Sequence, residues 1–276
     1  MTVADHVLMG LGYTEPSTEY PIARLTADGG GTEFVRVAEE IPVALVYNGR
    51  PYVVVMGTPS DLEDLAVGFS LTEGVVATNR DIQRLDVVRA SHGIELQIEI
   101  AAADAARLDA RSRGMASRTG CGLCGIESID DVLRMPARLN HTLDITRDVL
   151  WSALESLSHQ QTLNNQTSTA HAAGWATPDG VLHVVREDVG RHNALDKVLG
   201  ALARSGRTAA DGFIIITSRA SYEMVQKAAL RGVELVAAIS RPTGLAIRFA
   251  QVSGVTLVGL LRGRTANVHT YPSRIT

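Results

Sequence analysis

Apolar runs that alternate with helical patterns dominate the last third of the chain. The runs 213–216, 235–239 and 255–260 are apolar throughout, and amphipathic helices are predicted between them at about 221–231 and 242–253. Strands that are apolar on both faces and joined by helical crossovers are typical of a parallel sheet covered by helices. Gly232 and Gly254 end the two helices, as the position after a helix favours glycine. This part of the chain is therefore predicted to be an α/β layer with mostly parallel strands.

The first hundred residues show strand patterns around a single helix. Strands are predicted at 33–37, 43–47, 51–56 and 94–100, and Asn48-Gly49 predicts a hairpin between the second and the third. Ser60 and Glu63 form a capping-box pattern ahead of a helix that Gly74 ends. We predict a smaller β-rich region with one helix over 1–105, a flexible Arg/Gly-rich loop over 106–128, and an α/β domain over 129–276. The fold class is α/β, or α+β for the chain as a whole.

Composition limits the class of protein. The chain has 276 residues, is 45% hydrophobic and carries a net charge of −4, which is enough apolar material for a large core and too acidic for a general nucleic-acid binder. It has neither a signal-peptide pattern nor an apolar run of about 18 residues. We expect a cytoplasmic protein that contacts neither membrane nor nucleic acid.

The only two cysteines, Cys121 and Cys124, lie three residues apart in a glycine-rich segment. This spacing leaves four interpretations open: a persulfide carrier, a dithiol/disulfide pair, half of a zinc site, or inert small residues. Zinc is disfavoured because the chain has no second cysteine pair and no histidine pair at zinc-ligand spacing. Nearby arginines would lower the thiol pKa and favour the thiolate; they are Arg107, Arg111, Arg113 and Arg118.

Hydroxyl and guanidinium groups follow all three apolar strands. Because ligands of open α/β sheets bind beyond the carboxyl ends of the strands, these groups predict a phosphate site. The guanidinium groups belong to Arg219, Arg241, Arg262 and Arg264. Ser218 or Ser221 is expected to cap the first following helix and Ser240 the second. A pyrophosphate-bearing nucleotide is the expected ligand, and the alternative is a set of surface ion pairs.

A second polar stretch surrounds His171 and the string 186–193, Arg-Glu-Asp-Val-Gly-Arg-His-Asn. His192 could act as an acid–base group or contact a phosphate. The same residues could equally form an ion-pair network that holds the following helix, and residue types alone do not separate the two.

Four strings together resemble the formate dehydrogenase accessory sulfurtransferase family, FdhD, from about residue 20 to the C-terminus. They are Gly-Cys-Gly-Leu-Cys-Gly at 120–125, His-Ala-Ala at 171–173, and the longer strings at 186–197 and 218–227. The resemblance implies a sulfur carrier that receives sulfane sulfur from a cysteine desulfurase as a persulfide. The carrier passes this sulfur to the molybdenum bis(molybdopterin guanine dinucleotide) cofactor, which formate dehydrogenase needs in sulfurated form.

The resemblance also assigns residues and partners. It implies that Cys121 carries the persulfide and that Cys124 assists or is dispensable. It further implies a cytidine-deaminase-like core without the zinc motif and a cofactor segment of six residues: Leu260, Leu261, Arg262, Gly263, Arg264 and Thr265. A homodimer is the expected assembly. The alternative is a non-catalytic chaperone that protects the cofactor and docks the apo-dehydrogenase.

Three positions depart from the family pattern. Ser168 and Thr169 stand where the family often has two glycines, and Leu260 stands where an aromatic residue is common. Backbone contacts near 168 are therefore expected to differ, and stacking on residue 260 is not expected.

Overall fold

The computed structural model describes residues 15–112 and 135–276, which form twelve strands and seven helices. The strands are β1 (Ser17–Thr26), β2 (Gly29–Ala38), β3 (Ile41–Tyr47), β4 (Arg50–Gly57), β5 (Ile82–Ala90), β6 (Gly93–Ile100), β7 (His171–Ala176), β8 (Leu182–Asp188), β9 (Phe213–Ile216), β10 (Leu235–Ala238), β11 (Thr256–Arg262) and β12 (Thr265–Val268). The helices are α1 (Leu62–Thr72), α2 (Ala102–Ser112), α3 (Arg147–Gln160), α4 (Thr162–Thr167), α5 (Arg191–Arg204), α6 (Tyr222–Leu230) and α7 (Gly244–Ser253).

The N-terminal part contains a two-stranded ribbon, β1–β2, and a four-stranded sheet in the order β4-β3-β6-β5. The predicted hairpin is confirmed: β3 and β4 pair antiparallel, and both Asn48 and Gly49 have the positive φ that a tight hairpin turn requires. Helix α1 covers the sheet, and Leu45, Leu65 and Leu96 are fully buried between them. The prediction of a capping box at Ser60 and Glu63 was wrong, because the residue before the helix is Asp61, whose side chain makes no capping hydrogen bond.

The C-terminal part is a six-stranded sheet in the order β12-β11-β10-β9-β7-β8. The three predicted strands β9, β10 and β11 are parallel, as their two-sided apolar pattern indicated. The remaining pairings differ from the simple parallel expectation, because β7 is antiparallel to both β8 and β9, and β12 is antiparallel to β11. Helix α3 packs on one face of the sheet, and α5, α6 and α7 pack on the other. The fold is mixed α/β.

Helices α1 and α5 join the two parts at very close range. A Cβ atom on Gly68 would lie 1.7 Å from the carbonyl oxygen of Asp196, and one on Gly200 would lie 1.9 Å from that of Asp64. Only glycine permits this approach, because any side chain would overlap the facing backbone. The two glycines therefore fix how the N-terminal sheet sits on α5.

The segment that links the two parts is only partly described. Helix α2 (Ala102–Ser112) occupies the first seven residues of the stretch predicted as a flexible loop over 106–128, so the helix extends further than expected. Cys121 and Cys124 lie outside the described residues, as does most of the loop predicted over 106–128. The boundaries of the three predicted regions stay a prediction, although the four-stranded sheet falls within the first region and the six-stranded sheet within the third.

Candidate functional site

The carboxyl ends of β9, β10 and β11 lie side by side at one edge of the large sheet. Since neighbouring strands are about 4.8 Å apart, the residues that follow these strands share a narrow region. On the side of α3, this edge opens into a cavity of about 680 Å³, a volume that suits a ligand of nucleotide size. One side of the cavity is the surface of α3, and the other is formed by Ile239 and residues 261–264.

The predicted cofactor segment forms part of this cavity. Leu261, Arg262, Gly263 and Arg264 line it, with Leu261 fully buried beneath the two arginines. The backbone shape that presents them is unusual. Leu260 and Gly263 both have positive φ, and the β11–β12 register shifts between Gly259 and Arg262. Such an irregularity re-aims side chains at the end of a strand, here toward the cavity.

The other two residues of the predicted segment support the turn rather than line the cavity. The Thr265 hydroxyl donates a hydrogen bond of 3.1 Å to the carbonyl oxygen of Arg262. The backbone N–H of Leu260 donates to the carbonyl oxygen of Ser240 at 3.2 Å, which ties β11 to the loop after β10. Both contacts hold the arginine-bearing turn against the neighbouring strand end.

The structure brings two of the four predicted arginines to the cavity. Arg262 Nε donates to the Ile239 carbonyl oxygen at 3.2 Å, which orients the guanidinium and leaves its outer N–H groups available to a ligand. Arg264 is exposed on the adjoining turn. Arg219 and Arg241 are also exposed at strand ends but are not part of the cavity lining. A pair of guanidiniums at one end of a cavity suits a phosphate group.

The predicted helix caps need correction. Ser221 is the residue before α6 but its side chain makes no capping hydrogen bond. Ser240 does not cap α7, because that helix begins after Pro242, and the Thr243 hydroxyl accepts the hydrogen bond from the Ala246 N–H. The helix cap predicted at Ser240 is therefore at Thr243, because the prediction did not account for the loop that contains Pro242.

The polar string at 186–197 divides into a structural part and an edge part. The structural part is centred on Asp188 and Lys197, which are fully buried and joined by a contact of 2.6 Å. Both also bind the backbone of Thr58 at the end of β4, through the Thr58 N–H and carbonyl groups. Arg186 extends the same interface by donating to Asp64 of α1 at 2.8 Å. The ion-pair interpretation therefore holds for these residues, which fasten the N-terminal sheet to α5.

The edge part consists of Arg191 and His192, with His171 at the start of β7 beside them. His192 Nε2 lies 2.5 Å from a carboxylate oxygen of Glu223, although the approach is too far off the N–H direction for a regular hydrogen bond. Arg191 Nε is buried and has no hydrogen-bond partner among the described residues. Burial, together with the charge of Arg191, holds the pKa of His171 below its usual range, so this imidazole is neutral at pH 7. Such a group can exchange a proton or bind an anion at the sheet edge.

The sequence reasoning missed the wall of the cavity formed by α3. Asp148, Trp151 and Glu155 lie on one side of this helix, at positions i, i+3 and i+7. Their spacing was visible in the sequence, but nothing in it indicated that α3 packs beside residues 261–264, more than a hundred positions later.

No cluster of three or more His, Cys, Asp or Glu suited to a metal ion is present in residues 15–112 and 135–276. Across the same residues, no helix has the length and apolarity needed to cross a membrane.

The fold and the site define a mixed α/β protein with an arginine-bearing cavity at the carboxyl edge of its sheet. Comparison with known proteins identifies a family within this class. The profile described as the FdhD/NarQ family matches residues 38–276. The chain belongs to the FdhD/NarQ family.

Named relatives agree with this membership. A protein of Cupriavidus necator named sulfur carrier protein FdhD is 48% identical over 239 residues, covering 87% of this chain and 83% of its own length. A protein of Xanthomonas euvesicatoria with the same name is 51% identical, covering 87% and 85% respectively. A crystal structure of a protein from Desulfotalea psychrophila, titled a formate dehydrogenase accessory protein, superposes with a TM-score of 0.76 at 25% identity. That superposition covers 95% of this chain and all of the other.

Proposed function

We propose that the chain is a sulfur carrier in the maturation of formate dehydrogenase, and that it delivers sulfur to a guanine-dinucleotide form of the molybdenum cofactor held at the cavity. The observation that carries this proposal is the cavity itself, in which Arg262 and Arg264 stand at the carboxyl edge of a parallel-strand layer. The sulfur part is supported by relatives about half identical to this chain that are named sulfur carrier proteins.

The first step is capture of sulfur by Cys121. The Cys121 thiolate attacks the terminal sulfur of a persulfide on a cysteine desulfurase. The sulfur–sulfur bond of the donor breaks, a new one forms on Cys121, and the donor cysteine leaves as a thiolate. No electrons are gained or lost overall, because the sulfane sulfur moves from one thiolate to another.

The second step is reductive delivery. Two electrons are needed to convert sulfane sulfur to sulfide, and a thiol, from Cys124 or from solution, supplies them. This thiolate attacks the inner sulfur of the Cys121 persulfide, which forms a disulfide and releases hydrosulfide. The hydrosulfide would then take the place of an oxo ligand on the molybdenum of the substrate. That oxygen would leave as water, with the proton of the hydrosulfide and one proton from solvent.

Mass spectrometry of the cysteine-bearing peptide tests the first step. After incubation with a cysteine desulfurase and cysteine, we expect one added sulfur atom on Cys121. The matched control Cys124→Ala should still load, since Cys121 is the acceptor. Loading of the same peptide that persists unchanged in Cys121→Ala would contradict the assignment.

A further inference from the structure

The cavity has an uneven distribution of charge. The turn after β11 contributes two guanidiniums, Arg262 and Arg264, whereas α3 contributes two carboxylates, Asp148 and Glu155. Neither carboxylate is ion-paired to another residue in the part of the chain that the structure describes. Because carboxylates repel phosphate, the phosphates of a bound nucleotide belong on the side of the turn. The base and sugar then face α3.

The two carboxylates have different local explanations. Asp148 is in the first turn of α3, where a negative charge complements the helix dipole. Glu155 lies in the middle of the helix, about 10 Å further along the axis. At that position the helix dipole does not stabilise a negative charge. The Glu155 carboxylate faces the cavity without a cation, so both of its oxygens are available to hydrogen-bond donors of a ligand.

Trp151 lies between these carboxylates on the same side of α3. Its side chain is half-buried against the apolar layer that includes Leu150 and Leu261, so the indole is held in place while part of it faces the cavity. An aromatic surface of this kind binds any nucleobase by stacking and does not discriminate among them. Glu155 is one helical turn beyond Trp151, about 6 Å along the axis, within reach of the edge of a stacked purine.

We propose that Glu155 recognises the base of the nucleotide in this cavity and makes the cavity selective for guanine. This inference rests on the proposed function, from which the nucleotide-bearing substrate is taken. Guanine presents two adjacent donors, N1–H and the exocyclic amino group, and one carboxylate accepts both. Adenine has an acceptor at N1, which a carboxylate repels. Hypoxanthine keeps the N1–H donor but lacks the amino group.

Titration calorimetry with GDP, IDP and ADP tests the inference on the whole chain. The wild-type protein should bind GDP most tightly, IDP less tightly and ADP least. Glu155→Gln should weaken GDP binding about 10- to 100-fold, the range expected for loss of hydrogen bonds to a charged group, and should strengthen ADP binding slightly, because it removes the repulsion of adenine N1. Glu155 is exposed, so this variant should retain the fold.

Two further variants separate base recognition from phosphate binding. Asp148→Asn, which removes a carboxylate from the same helix, should keep the preference for GDP. Arg264→Ala should weaken all three nucleotides by the same factor, because it removes a phosphate contact. The inference is overturned if the wild type binds GDP and ADP equally, if Glu155→Gln weakens both equally, or if Asp148→Asn abolishes the preference instead.

The outcome also distinguishes this inference from the proposed function. Nucleotide binding that depends on Arg264 but shows no base preference overturns the role of Glu155 and leaves the sulfur carrier intact. If no nucleotide binds, both the role of Glu155 and the proposed cofactor site are wrong. Sulfur loading of Cys121 is measured separately and does not depend on either result.

Discussion

Single residues in left-handed backbone conformations shape the site and its surroundings. Leu260 has a φ of 52° directly before the buried Leu261, and Ser168 has a φ of 54° at the end of α4. Such conformations cost a residue with a Cβ atom about 1–2 kcal/mol. The family pattern often places glycine near residue 168, which fits the backbone that the structure shows there.

Ser168→Gly should raise the free energy of unfolding by about 0.5–1 kcal/mol. The gain comes from relief of the left-handed strain and is reduced by the greater freedom of glycine in the unfolded chain. Urea denaturation followed by circular dichroism measures it. Ser168→Ala, which removes the hydroxyl but keeps Cβ, is the matched control and should show no gain. Equal stability of the glycine and alanine variants would contradict this explanation.

Residue types indicated the chemistry of the site better than its geometry. Arg262 and Arg264 were found because they follow an apolar strand, and the structure places both at the cavity. Nothing in the sequence indicated the positive φ of Leu260, since leucine disfavours that conformation. An ion-pair network was one of two open interpretations of the polar string at 186–193. The buried contact between Asp188 and Lys197 decides it for the structural part.

At the scale of elements, the strands and helices of the C-terminal part follow their hydrophobic periodicity closely. Three apolar runs became parallel strands, and Gly232 and Gly254 end the helices with positive φ. Strands β7 and β12 were not predicted because neither is a continuous run of large apolar residues: β7 reads His-Ala-Ala-Gly-Trp-Ala, and β12 reads Thr-Ala-Asn-Val. Both run antiparallel to their neighbours in the parallel layer. The cavity wall formed by α3 was not predicted from the sequence, because helix packing depends on contacts between distant parts of the chain.

The contact between α1 and α5 should tolerate no side chain at its centre. Gly200→Ala should lower the free energy of unfolding by about 3 kcal/mol or more, since its Cβ would overlap the Asp64 carbonyl and force the helices apart. Thermal unfolding measures the loss. Gly31→Ala is a suitable control, because its Cβ would meet nothing within 4 Å, and it should change stability little. A Gly200→Ala protein as stable as this control would show that the helices separate without cost.

At the scale of the whole molecule, the N-terminal sheet is fastened to the domain that carries the cavity. Partly buried ion pairs cross between them, including Arg186 with Asp64 and Lys227 with Glu73. Breaking one partner of a buried pair leaves an uncompensated charge, so these contacts resist separation of the two parts. The cavity and the neutral His171 therefore lie along the edge of a sheet that these contacts hold firmly to the N-terminal part of the chain.

The chain is proposed to transfer sulfur and not merely to protect the cofactor. The most direct measurement follows labelled sulfur from the chain to the dehydrogenase. The chain is loaded with radioactive sulfane sulfur, freed of excess label, and mixed with formate dehydrogenase whose cofactor lacks sulfide. We predict that label passes to the cofactor as activity appears, and that a Cys121→Ala, Cys124→Ala double variant with intact GDP binding supports neither. Activity restored by this double variant, without transfer of label, would contradict the claim and favour a chaperone.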